Sequence, residues 1–300
     1  MKATQQGEDD TLAAVVVLYG TAPFDSEALT SLAAVSLDPQ SPEVRVMIWD
    51  NSPVAHIRMP EGLPLAILKR DPSNPGLARA YNEALQWAKR EGHRWLLLLD
   101  QDTTVTGAYL RAVADFTAAH QRVPEDLPSI GVGFPSLAQN GKVLSPTYFP
   151  RLRARPYPGR RPKTKRLMVL NSGTVVSVEA AISVGGFPIR YPLDALDHAF
   201  VSELRLADFR SVAIPVALEH HASTSAMQDM TPERLKSLTK AEVQYFTEYG
   251  SRADRTWLLL RRVTRVLQVI LGRRNSPSLR IEVAALGSAF RSLVIGGRGR

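Results

Sequence analysis

Five short runs of apolar and β-branched residues, Leu12 to Tyr19, Val44 to Trp49, Leu65 to Leu68, Trp95 to Leu99 and Ile130 to Phe134, are each bounded by proline, glycine or polar positions. That is the pattern of buried strands. Between most of them the period changes. Ser26 to Leu37, Gly76 to Arg90 and Ala108 to Ala119 carry apolar residues at three- and four-residue spacing, which predicts amphipathic helices. Strands alternating with helices predict an α/β fold: a Rossmann-like, mostly parallel sheet with helices on both faces. After Phe134 come a stretch rich in proline and arginine, a strand-like run from Leu167 to Val178, a helix near Asp194 to Leu206, and a strand over Ser211 to Val216. Beyond His221 the spacing is helical, with Pro232 to Tyr249, Asp254 to Leu271 and Leu279 to Val294 predicted as a C-terminal helical extension.

Composition narrows the chemistry. With 300 residues and 44% apolar content, the chain can bury one large core or two modest ones. It has no cysteine, which excludes disulfides, thiolate zinc sites and cysteine nucleophiles and fits a reducing compartment. Any metal must therefore be held by carboxylate, histidine and phosphate groups. Met1 to Asp10 is polar and acidic, so the expectation is no secretory signal and a cytoplasmic chain. Runs such as Leu96 to Leu99 are too short to span a bilayer, and Val263 to Leu271 is interrupted by Arg265. The net charge of +8 clusters in Arg151 to Arg166 and Arg252 to Arg300, leaving the first half near balance.

The strongest local signal is the run Trp95 to Leu99 closing in Asp100-Gln101-Asp102. Strand alternation puts the two carboxylates on one side as the chain leaves the sheet, where they suit Mg²⁺ or Mn²⁺ together with phosphate oxygens. The same acids also suit a turn or a helix cap. In Asn74-Pro75-Gly76, Asn74 reads as an N-cap and Pro75 as the first helical residue, with Arg79 and Asn82 three apart on one face. A helix start with an arginine in its first turn suits a phosphate, and equally a well-capped amphipathic helix. Asp50-Asn51-Ser52 again ends an apolar strand in an acid, as a base or ribose contact or as an Asp-Asn-Ser-Pro turn. Asp194 and Asp197 fall three apart at the start of a predicted helix whose stripe is Leu196, Phe200 and Leu204. Acids there face a cleft or complement the helix dipole. Glu219-His220-His221 follows the last strand, as packing or as a further metal ligand.

Taken in order, Val15 to Tyr19, Asp50-Asn51-Ser52, Asn74-Pro75-Gly76 with Asn82, Asp100-Gln101-Asp102, Asn171-Ser172-Gly173, Gly185-Gly186-Phe187 with Asp194 and Asp197, and His220-His221 resemble family 2 inverting glycosyltransferases of the GT-A fold. The likeness covers about residues 11 to 225. Asp100-Gln101-Asp102 and Asp194-X-X-Asp197-X-X-Phe200 are most similar to the rhamnosyltransferase branch and less closely to galactofuranosyltransferases. The resemblance implies a polar tail over 1–10, a catalytic domain over 11–225 and a basic helical region over 226–300. Within the domain it implies a nucleotide-sugar half over 11–135 and an acceptor half over 136–225 with a basic loop at 150–166. It implies a dTDP-rhamnose-like donor, or alternatively UDP-galactofuranose or a UDP-hexose, with a saccharide or lipid-linked acceptor in surface polysaccharide synthesis. Asp50 would contact the base, Asp100 the ribose or base side, and Asp102 the Mg²⁺ or Mn²⁺ ion. Asp197, or else Asp194, would be the catalytic base. His220 or His221 would complete the metal shell, and Tyr19, Asn51, Asn74, Gly76, Arg79, Asn82, Gln101 and Gly173 would line the donor site. The family places an arginine soon after the acid-X-X-Phe element, where this sequence has Glu203 and then Arg205.

Arg151 to Arg166 is too proline-rich and charged for a core element and reads as a loop, able to meet a phosphorylated acceptor or merely solvated. Trp257 to Arg274 mixes apolar residues and arginine at helical spacing, which suits an anionic membrane surface or packing against the protein or a second subunit. The charge alone also suits a basic nucleic-acid module. Strand-ending acids repel a phosphate backbone, and the aromatics are not interleaved with the basic run, so no nucleic-acid partner is expected.

Overall fold

The computed structural model describes residues 11–55, 58–63, 67–120, 129–148, 155–157, 167–219, 231–272 and 278–295. The strands are β1 (Leu12–Leu18), β2 (Val44–Asp50), β3 (Ile67–Arg70), β4 (Trp95–Asp100), β5 (Ile130–Gln139), β6 (Lys142–Ser145), the two-residue β7 (Thr147–Tyr148), β8 (Arg155–Pro156) and β9 (Leu167–Met168), then β10 (Thr174–Ser177) and β11 (Arg210–Glu219). The helices are α1 (Glu27–Ser36), α2 (Leu77–Arg90), α3 (Gly107–Ala119), α4 (Val178–Ser183), α5 (Leu196–Leu206), α6 (Pro232–Tyr249), α7 (Arg252–Ile270) and α8 (Leu279–Ile295). They form two compact units, the sheet with α1 to α5 and the bundle α6 to α8.

The sheet runs β11-β5-β10-β4-β1-β2-β3, with β6 beside β5. β1 pairs in parallel with β2 and β4, β2 with β3, and β5 with β11. β10 is antiparallel to both neighbours, Thr174 lying opposite Leu98 and Ser177 opposite Trp95. The sheet is therefore mostly parallel, and the expected strand from Leu167 to Val178 is corrected. Gly173, just before β10, is left-handed (φ +72°) and its N–H donates to the Leu98 carbonyl (2.8 Å). Val178 begins a short helix that apolar periodicity could not separate from the preceding strand. β5 likewise continues to Gln139 and turns back into β6 through Asn140-Gly141, both in the left-handed region.

Strand alternation sorts the core. Leu12, Ala14, Val16 and Leu18 of β1, with Leu97 and Leu99 of β4, pack against Leu29 and Leu32 of α1 and Tyr109, Leu110 and Val113 of α3. Ala13, Val15 and Val17 are equally buried on the other face, where α2 contacts β1 and β4. Helices on both faces leave the carboxyl ends of β1, β2 and β4 as the place where polar groups gather.

In the second unit Thr231 and Ser251 cap α6 and α7, and Asp254 completes a capping box with Ser251. The apolar centre is small: Val243, Phe246, Leu258 and Ala289. Charge fills the rest. Arg265 Nε donates to Glu282 Oε1 (2.6 Å), Arg262 Nη1 lies 3.5 Å from Glu282 Oε2, and Arg261 Nη2 donates to Glu242 Oε1 (2.7 Å). Arg262 also pairs with Glu242.

Candidate active site

Three strand ends meet at one rim. Leu18, the last residue of β1, pairs with Asp50 of β2, and Asp50 and Asn51 are buried. Asp50 Oδ1 accepts from the Ser52 N–H (2.8 Å), while Oδ2 lies 3.6 Å from Arg70 Nε at the end of β3. Arg70 also donates to the Pro53 carbonyl (2.8 Å), so one guanidinium ties the turn after β2 to β3. Asn51 Oδ1 accepts from the Trp49 indole N–H (2.8 Å). Arg70 is absent from the sequence-derived site. It closes a strand of only four residues, too short for its pattern to mark Arg70 as the strand end.

Gln101 works as a brace. Its Oε1 accepts from the Tyr19 N–H (2.8 Å) and its Nε2 donates to Thr21 Oγ1 (2.9 Å), so the amide fastens the loop after β1 to the end of β4. The Tyr19 side chain is left exposed (57%) at that rim. Ser172 Oγ accepts from the Asp100 N–H (3.2 Å) and also pairs with Thr103 Oγ1, which explains why Asn171-Ser172-Gly173 accompanies the Asp-Gln-Asp element. The Gly173 carbonyl accepts from Tyr109 Oη (2.5 Å).

The acids share one electrostatic field. Burial, then the Asp102 carboxylate, then the Asp197 carboxylate push the Asp100 carboxyl up to about 7. Tyr81 of α2 sits 3.4 Å from Asp100 Oδ1, and its phenol is raised by burial and by the carboxylates of Asp100, Asp197 and Asp102. Asp197, in the first turn of α5, is thereby brought to the Asp100 and Asp102 pair. Its Oδ1 accepts from the His198 N–H (2.8 Å). Asp194 is buried and lies before the helix rather than in it. Ala195, between the two acids, adopts a left-handed conformation (φ +59°) uncommon outside glycine, asparagine and aspartate. That kink gives Asp194 and Asp197 different surroundings, which the three-residue spacing did not reveal. Tyr81 was missed because its position on an amphipathic helix is that of a core residue.

The start of α2 departs from the sequence expectation. Its N-cap is Gly76, not Asn74, and the Leu77 N–H donates to the Pro192 carbonyl (2.7 Å). Gly76 has φ +90°, and a Cβ there would collide with that carbonyl. The close approach of the 185–195 segment, a non-local contact, thus replaces the asparagine cap. Arg79 is exposed and helps keep Asp71 ionised below its ordinary range, after hydrogen bonds from Ser73. Asn82 is a clamp: its Nδ2 donates to the Phe187 carbonyl (2.8 Å) and its Oδ1 accepts from the Phe187 N–H (2.7 Å). Phe187 stacks on Phe200 of α5 at 4.0 Å, so the clamp fixes the helix bearing Asp197. Asn82→Ala strips both partners from Phe187 and is expected to cost about 2 kcal/mol in urea unfolding. A change below about 0.5 kcal/mol would show that water replaces the amide at no cost.

His220, His221 and most of the basic run Arg151 to Arg166 lie outside the described residues. Glu219 is the last residue of β11, and its carbonyl accepts from the Thr104 N–H (3.4 Å), two residues past Asp102. Among the described residues no group of three or more acids and histidines is arranged to hold a metal. The chemistry present still fits a hard divalent cation: Asp102 offers oxygen ligands, and a cation would offset the mutual repulsion of the Asp100, Asp102 and Asp197 carboxylates, which adds to burial in raising Asp100. A cavity of about 500 Å³ lined by Lys89, His93, Arg94, Trp95, His120 and Ser177 opens at the opposite, amino end of β4 and contains none of these site residues.

No protein-family model matches the sequence, and no curated protein matches it. Solved structures do. S. aureus TarS (1–349) in complex with UDP superposes with a TM-score of 0.58 over 94% of this chain and 81% of that one, at 14% identity. The chain has a GT-A-like α/β fold. The same TarS fragment with UDP-GlcNAc gives 0.55 at 14% identity over the same shares of both chains. The mannosyltransferase PcManGT from Pyrobaculum calidifontis, in complex with GDP-Man and Mn²⁺, gives 0.50 at 14% identity, over 96% of this chain and 76% of that one.

Proposed function

We propose that this GT-A-like chain is an inverting glycosyltransferase that moves a sugar from a nucleotide-diphosphate donor to a hydroxyl acceptor. The observation that carries this reading is the placing of Asp50 and Asp100 at the carboxyl ends of neighbouring strands, where the charges of Asp102 and Asp197 both act on the buried Asp100. Open α/β sheets bind ligands at that rim, and neighbours of this fold hold UDP, UDP-GlcNAc and GDP-Man. Asp50, Asn51 and Tyr19 line the nucleoside end, Asp100 the ribose side. Asp102 would hold Mg²⁺ or Mn²⁺, and by the resemblance His220 or His221, which lie outside the described residues, would complete its shell. When bound, the cation supplies positive charge for the diphosphate. Asp197 removes the acceptor hydroxyl proton as that oxygen attacks the anomeric carbon, and the bond to the diphosphate breaks on the opposite face. No covalent intermediate is required. The favoured donor is dTDP-rhamnose, on the resemblance of the Asp-Gln-Asp and Asp194-X-X-Asp197-X-X-Phe200 elements; UDP-galactofuranose and UDP-hexoses are the alternatives. The acceptor is a saccharide, free or lipid-linked.

Calorimetry of dTDP-rhamnose, UDP-galactofuranose and UDP-GlcNAc with and without Mn²⁺ tests the reading. One donor is expected to bind in a Mn²⁺-dependent manner, and Asp102→Ala to weaken it by at least about tenfold, since even residues behind a metal's ligands carry that much. No binding of any nucleotide sugar would remove the proposal.

A further inference from the structure

The charges of α7 and α8 point the wrong way for an ordinary surface hairpin. Residues 252 to 300 hold eleven arginines and only two acids, Asp254 and Glu282, and both acids are buried. Arg261, Arg262 and Arg265, within the segment read from sequence as suiting either an anionic surface or packing, are paired with Glu242 and Glu282. Leu258, Val266, Ala285 and Ala289 are buried, but many of the larger apolar side chains go outward. On α7, Leu260, Val263, Leu267 and Ile270 recur at helical spacing and are exposed, with Leu271 just beyond. On α8, Leu279, Val283, Phe290 and Val294 form a second stripe, exposed by as much as 67% at Val294. Scattered exposed leucines need no explanation, but a stripe on each of two helices that pack together does. α6, in the same unit, exposes Glu233, Lys236, Lys240 and Glu248.

We propose that the exposed apolar faces of α7 and α8 dock this chain on an anionic lipid surface, the stripes entering the acyl boundary and the flanking arginines meeting headgroups. Charge selects this occupant. The charged residues exposed on the two helices are Arg252, Arg280 and Arg291, all cationic. A second copy presenting the same face would set arginine against arginine, whereas an anionic membrane complements it. None of the described helices is long and apolar enough to cross a membrane, so the contact is an interfacial one. The inference does not depend on the transferase reading, and its test needs no turnover.

Co-sedimentation of the full chain with phosphatidylcholine vesicles, with and without phosphatidylglycerol, provides that test. Binding is expected with phosphatidylglycerol and to be much weaker without it. Leu267→Glu with Ile270→Glu, on an exposed face and with unchanged far-ultraviolet dichroism, should reduce binding at least about tenfold. Arg280→Glu with Arg291→Glu leaves the stripes intact and should weaken binding about fivefold per arginine. Failure to bind the anionic vesicles, or binding that survives the double glutamate variant, overturns the proposal. So does a dimer in vesicle-free sedimentation velocity that this variant dissociates, because the face would then belong to a second copy.

Discussion

Asp197→Asn is expected to retain donor binding and to lower turnover by about 10² to 10⁴-fold, the contribution of a positioned general base. Asparagine keeps the size of the side chain and an oxygen able to accept from the His198 N–H, so α5 should be undisturbed. The loss should fall on kcat because proton removal stabilises only the transition state. Asp194→Asn is the matched control. Asp194 is buried and precedes the helix, so its replacement should affect stability more than turnover. The measurement is nucleotide release with the donor that calorimetry identifies, alongside that donor's affinity for each variant. Near wild-type turnover in Asp197→Asn with intact donor binding would reassign the base, and a collapse in Asp194→Asn alone would give it to Asp194.

The parts of this site that were readable from sequence are those fixed by local geometry. Apolar strands that end in acids put Asp50 and Asp100 at the carboxyl ends of β2 and β4, as their sequence positions imply, although β4 stops at Asp100 and Asp102 sits in the turn beyond it, where strand alternation no longer applies. The parts that were not readable depend on partners far away in the chain. Asn82 reads as a candidate ligand on a helix, but Phe187, 105 residues on, takes both halves of its amide. Asn74 is a good cap by composition and loses the role to a Pro192 carbonyl. Gln101 looks like the variable middle of a metal motif and instead braces Tyr19 and Thr21, some 80 residues earlier. β10 has the composition of a parallel strand but enters the sheet antiparallel to β4 and β5, a direction set by the route of the chain before it, which composition does not reveal. In each case the residue type was right for two roles, and tertiary contact chose between them.

The same limit explains the second unit, and a buried acid there carries the other large effect. Glu282 is fully buried, bonded to Arg265 (2.6 Å) and 3.5 Å from Arg262, itself only 3% exposed. Glu282→Ala leaves Arg262 with Glu242 alone and strips Arg265 of its bonded carboxylate, and uncompensated buried charge of this kind typically costs about 3–5 kcal/mol. Burial already disfavours the charged form of Arg262, ahead of every neighbouring charge, so the site has little tolerance for losing an anion. In a unit of this size each kcal/mol is worth about 4–8 °C, and the helical melting transition should fall by at least about 12 °C. A shift under about 3 °C would mean that water reaches these arginines and that the pairs behave as surface ones. Replacing Glu242, Arg262, Arg265 and Glu282 together by apolar residues of similar volume should restore most of the stability, since buried ion pairs seldom exceed their apolar counterparts. If it does, the network's role is orientation rather than stability: with the charges held inward, α7 and α8 have no face left for Leu260, Leu267, Val283 and Phe290 except the outer one. The repacked variant would then be free to turn those residues inward, and a loss of vesicle binding without loss of helix would identify the ion pairs as what keeps the apolar stripes outside.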